Sequence, residues 1–202
     1  MKIDVLTQSP ARGDLVRFHL EGKFKDTSVP RSEFNGSRLS SVLLRDRKLR
    51  VLHVGLGNRN SLNPDRLRRA AGAAVRSLLQ IGAEEIGIEL GGHGEHAQAV
   101  VEGALLGSYK FETFRAPAAR RLNSLKCLSL VTTRTDAKQV RHAVHVGRVL
   151  AEATNLVRDV GNQPGNVITP ATLASRARSL AARLKLKCRI WDEPALRREG
   201  FG

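Results

Sequence analysis

The sequence predicts a layered α/β fold built on a mainly parallel sheet. Three observations carry this: short apolar runs of strand length, stretches at helical spacing between them, and Gly- or Pro-marked breaks at most junctions. Residues 2–7 and 15–20 read as strands around the turn Ser9-Pro10-Ala11-Arg12-Gly13, and residues 22–48 as polar and irregular. Leu49-Arg50-Val51-Leu52-His53-Val54 is a buried strand that breaks at Gly55-Leu56-Gly57-Asn58.

Asn63-Pro64-Asp65 is a helix entry, with an N-cap residue, Pro at the first turn and then an acid. Leu67, Ala70, Ala71, Ala74, Val75, Leu78 and Leu79 continue it at helical spacing, and Gly82 ends it. Residues 86–90 form the next strand. After the loop Gly91-Gly92-His93-Gly94, residues 96–109 form a helix with small side chains on one face. Residues 125–131 are a further strand. Residues 136–160 form a long amphipathic helix with Val140, Val144, Leu150, Ala153, Leu156, Val157 and Val160 on one stripe. Residues 161–170 are a linker or ordered turn. Thr169-Pro170 caps a helix over 171–184, residues 186–191 read as a strand, and a short helix from 192 closes at Gly200. The natural seam falls near residue 160, dividing domain 1–160 from segment 161–202.

Composition narrows the function classes. At 41% hydrophobic residues the chain buries a real core. No apolar run approaches the roughly 20 residues that span a bilayer, and the charged start Met1-Lys2-Ile3-Asp4 is not a signal peptide. A cytoplasmic protein without membrane contact is expected. Cys127 and Cys188 are expected as free, buried thiols, although a disulfide stays open. The net charge of +15 favours encounter with polyanions, but 4% aromatics argue against a base-stacking platform.

Several constellations are candidates for chemistry. Gly55-Leu56-Gly57-Asn58 resembles half of a phosphate-binding turn, but no third glycine follows at the required spacing. His93 and His96 flank Glu95, and His142 and His145 stand three apart on the long helix, without a further carboxylate or thiolate set to complete a metal site. Asp4, Asp14, Asp136 and Asp159 have no partner at catalytic spacing. Basic clusters occur at residues 45–50, at Arg66, Arg68 and Arg69, and at Arg120-Arg121. A charge run is usually a solvated face. Arg66, Arg68 and Arg69 sit where cations oppose the helix macrodipole, which marks them as candidates for polyanion contact.

Taken together, the motifs resemble a known family. Residues 51–57 (VLHVGLG), 67–74 (LRRAAGAA) and 102–111 (EGALLGSYKF) look like the N-terminal domain of leucyl (cytosol) aminopeptidases. Asn155-Leu156-Val157-Arg158-Asp159, Asn162-Gln163-Pro164-Gly165-Asn166-Val167, Thr169-Pro170 and Asp192-Glu193 resemble the entry into that family's catalytic domain, with Gly165 in place of a frequent second proline. The resemblance implies a three-layer α/β/α, macro-domain-like N-terminal domain followed by a truncated start of a metallopeptidase domain. It implies an exopeptidase that uses two divalent metals, zinc or manganese, to activate water, assembled as a homo-oligomer, a hexamer in the family. The family's metal ligands and catalytic residues fall beyond residue 202, so no catalytic, cofactor or metal residue is assigned here. The expectation is a chain that positions and assembles a peptidase without catalysing by itself. The alternative is a basic module that contacts DNA or RNA, and a third reading is a macro-domain-like nucleotide binder.

Overall fold

A computed structural model describes residues 1–46, 48–116 and 124–201. The chain divides into two compact units, Met1–Leu156 and Val157–Gly202. Among the described residues, the first contains six strands: β1 (Lys2–Leu6), β2 (Gly13–Leu20), β3 (Ser41–Asp46), β4 (Leu49–Gly57), β5 (Glu85–Glu89) and β6 (Cys127–Val131). They form one sheet in the order β1-β6-β5-β2-β4-β3, parallel throughout except for β3, which runs antiparallel to β4. The α/β class and the mixed, mainly parallel sheet are as the sequence predicts.

Helices α1 (Pro64–Gln80) and α2 (Ala97–Ser108) are the crossovers from β4 to β5 and from β5 to β6. Asn63 accepts a hydrogen bond from the Arg66 N–H and caps α1, with Pro64 following. Alternate strand residues Val16, Leu52, Val54, Leu56, Ile86, Ile88, Leu128 and Leu130 face the two helices in one apolar cluster. The helices approach so closely that a Cβ at Gly103 would overlap the Arg68 carbonyl. That approach explains the small-residue face of α2.

Helix α3 (Ala137–Gly161) crosses α2 at Gly147, where a Cβ would lie 2.7 Å from the Gln98 carbonyl. Its apolar pattern needs correction. The single stripe expected over 140–160 is two stripes. Ala137, Val140, Val144, Gly147 and Ala151 are buried, whereas Val149, Leu150, Leu156 and Val157 are exposed. At 100° per residue the two sets point in nearly opposite directions.

Two other expectations change. The stretch 41–46, expected to be irregular, is β3, an edge strand whose ladder partner is the strongly apolar β4. Its own alternation is weak because it is half solvated. Residues 186–191, expected as a strand, form none. Leu186, Cys188 and Ile190 do alternate with basic residues, but a strand also needs a neighbour for its N–H and C=O groups. Both cysteines are free, as expected, but Cys188 is exposed rather than buried, and Cys127 is half-buried beside Asp4 on the sheet.

In the second unit, α4 (Pro170–Leu184) begins with a capping box between Thr169 and Thr172, and α5 (Glu193–Arg198) is capped by Asp192. The Pro164 carbonyl accepts from the Val167 and Ile168 N–H groups, closing an ordered turn before α4.

Candidate functional site

The glycine turn after β4 binds its own chain. The Gly55 N–H donates to the Ser40 carbonyl at 2.8 Å and the Gly57 N–H to the Gly36 carbonyl at 2.9 Å. A Cβ at Gly55 would overlap the Ser37 carbonyl. Asn58 accepts from the Asn60 N–H and caps a short 3-10 turn. These glycines let residues 36–40 lie against the strand. Their N–H groups are therefore committed to protein carbonyls, where a phosphate loop would keep them free.

The three arginines of α1 face different partners. Arg66 Nη1 donates to the carbonyls of Leu56 and Asn58 at 3.0 and 3.3 Å and fixes the exit from β4. Arg68 Nε donates to Glu102 Oε2 at 2.7 Å, and Arg69 Nε to Asp65 Oδ2 at 2.7 Å. Glu102 is buried on α2 and also accepts from Gln98. Asp65 and Glu102 thus offset the cations that oppose the α1 dipole. The cluster Arg120-Arg121 lies outside the described residues, as does Arg47 within 45–50.

The other candidates are dispersed. His93 is half-buried, and burial holds it below the ordinary histidine range. His96 is 3.6 Å from Glu95. His142 and His145 are exposed on α3. Asp4 pairs with Lys2 at 2.8 Å, and Asp14 accepts from Arg50 at 2.6 and 2.8 Å. Asp136 accepts from the Thr133 hydroxyl at the start of α3, and Asp159 lies on α3. Among the described residues, no three His, Cys, Asp or Glu side chains stand together so as to hold a metal ion.

Two features were not read from the sequence. On the sheet face opposite α1 and α2, His19 Nε2 of β2 and His53 Nδ1 of β4 meet at 2.8 Å. The signal available was only that both occupy alternate positions of adjacent apolar strands. The second is the exposed apolar stripe of α3. Val149 is 52% and Val157 70% exposed. A helix apolar on two opposed faces is built to lie between two bodies.

Residues 8–118 match the N-terminal domain of the cytosol aminopeptidase family. The chain belongs to that family. A probable cytosol aminopeptidase of Solibacter usitatus is 35% identical over 177 residues, covering 84% of this chain and 36% of that relative. Among solved structures, the bottromycin maturation enzyme BotP in complex with Mn is 30% identical, with a TM-score of 0.79 over 94% of this chain and 40% of that one. A tomato leucine aminopeptidase variant shares the fold at 21% identity, with a TM-score of 0.81 over 98% of this chain and 46% of its own. This chain thus spans about a third to under half of its aminopeptidase relatives, over the part that includes their N-terminal domain. No helix among the described residues is long and apolar enough to cross a membrane.

Proposed function

We propose that this chain is the positioning domain of a leucyl aminopeptidase, and that it removes no residue from a peptide by itself. The supporting observation is the two-faced helix α3: one stripe is buried in the first unit, while Val149, Leu150, Leu156 and Val157 stay exposed. Full burial of an exposed Val or Leu is worth about 1.5–3 kcal/mol, and these four, each more than 40% exposed, together retain a gain that suits the docking of a second body. In this reading that body is the peptidase portion that relatives carry and that lies outside the matched length. There, two divalent ions, zinc or manganese in the resemblance, would lower the pKa of bound water and polarise the scissile carbonyl. The residues described here do not form such a centre, so no step of hydrolysis is assigned to them. The enzyme would work in the cytoplasm as a homo-oligomer, with six copies as the family resemblance implies. Arg66, Arg68 and Arg69 serve the fold in this reading, and polyanion contact by them would be secondary.

The test joins this chain to a relative's peptidase portion and introduces Val149→Asp with Val157→Asp. The yield of assembled, active enzyme should fall by about tenfold or more, equivalent to at least about 1.4 kcal/mol of docking. The melting temperature of the unjoined chain should not move. Unchanged assembly and activity would overturn the docking role.

A further inference from the structure

Residues 22–35 form a compact loop with its ends drawn together, since the Gly22 N–H donates to the Asn35 carbonyl at 2.8 Å. Inside the loop, the Glu33 and Phe34 N–H groups bond to the Pro30 carbonyl, and Asp26 accepts from Ser28. Its side chains reach the sheet through rings. Phe24 stands edge-on to both His19 and His53, with centroids 5.1 Å away in each case, and Phe34 is edge-on to His19 at 6.0 Å. Phe34 is fully buried, whereas Phe24 is only half-buried. Two cavities adjoin Phe24, of about 490 Å³ and 200 Å³, both lined by Gly22 and Arg31. Phe24 thus closes over the histidine pair in edge-on contact with His19, His53 and Phe34, whose ring centroid is 4.8 Å away, while the adjoining cavities leave the rest of the loop room to move.

We propose that the His19–His53 pair is a proton-operated latch that holds residues 23–31 closed over the sheet. The geometry sets the chemistry. A nitrogen–nitrogen contact of 2.8 Å needs one N–H donor and one lone-pair acceptor. Two imidazolium rings would turn N–H toward N–H and place two cations in contact. The first proton from solvent takes the free lone pair on the far nitrogen of the donor ring and leaves a charge-assisted N–H···N contact, whereas a second, on the acceptor ring, sets N–H against N–H and breaks the contact against which Phe24 rests. Every charged group facing the pair enters the balance. Arg17 of β2 opposes protonation, while Glu89 of β5 and Asp26 of the loop favour it, and the residue of β3 opposite His53 is the apolar Val42. Arg17 also donates to Glu89 at 2.7 Å, which blunts that carboxylate. Burial, followed by Arg17, holds His19 below the usual range. Burial, followed by His19 and Arg17, brings His53 down to about 4. Because the closed form binds these protons less readily than the open form, closure is complete above the ordinary value near 6.5. It is progressively lost as the pH falls toward about 4.

The test is hydrogen exchange of the whole chain between pH 7.5 and 4.5, corrected for the intrinsic pH dependence of exchange. Amides of residues 23–31 should gain at least about tenfold in exchange relative to those of α1, as one coupled proton gives tenfold per pKa unit. In His53→Asn, whose amide lies near the Nδ1 position and does not titrate, that gain should vanish. No gain in the unaltered chain, or an equal gain in His53→Asn, would overturn the latch. If the variant does not fold, imidazole NMR of the unaltered chain decides. Both rings neutral at pH 6, with titration tracking loop exchange, supports the latch, and titration of both near 6.5 with a static loop rejects it.

Discussion

Asp14 and Arg50 show how much a single pair can matter in this sheet. They are register partners on β2 and β4, Asp14 is 7% exposed, and Arg50 also donates to the Ile81 carbonyl at the end of α1. Arg50→Ala would leave a buried carboxylate unpaired, and chemical denaturation should read a loss of about 3 kcal/mol. By contrast, Arg197 and Glu193 on α5 are largely exposed, and breaking that pair should cost well under about 1 kcal/mol. Gly103→Ala should exceed both, at about 4 kcal/mol or more, because its methyl would overlap the Arg68 carbonyl and must push α1 from α2. The sequence displayed the small residues of α2 but not the helix they admit. It likewise showed Arg68 but not Glu102, which comes to its side from 34 residues away.

At the scale of elements, legibility followed local information. Helix α1 was readable to within a residue or two because its cap, its proline and its spacing agree. Strand β3 was missed and residues 186–191 were overread for one reason: strand identity depends on a partner that sequence periodicity does not contain. The α3 stripe reads as one face only if the i, i+4 step at 140 and 144 and the i, i+3, i+7 steps at 150, 153 and 157 are joined, although the six residues from 144 to 150 turn the helix to its other side, as the burial pattern shows. The two faces should respond differently to substitution. Val140→Ala removes a fully buried side chain and should destabilise the first unit by about 1–2 kcal/mol in thermal or chemical unfolding. Val149→Asp should change the stability of the unjoined chain by less than about 0.5 kcal/mol, since Val149 is 52% exposed there and lies outside the buried stripe.

For the molecule as a whole, the family was legible and the candidate sites were not. Motifs such as residues 51–57 and 102–111 are written in local sequence, and the matched N-terminal domain contains them. The His19–His53 pair and the second face of α3 arise only when distant strands register and one side of a helix is covered. The +15 charge has a similar lesson. Arg66, Arg68 and Arg69 look free in sequence, yet each has a carbonyl or carboxylate partner in the fold. The most direct measurement is hydrolysis of a leucyl-p-nitroanilide substrate by the purified 202-residue chain with added manganese or zinc. A rate equal to that of the metal ion alone is expected of a positioning domain. Saturable turnover that co-purifies with the folded chain would contradict it and place catalytic groups within these residues.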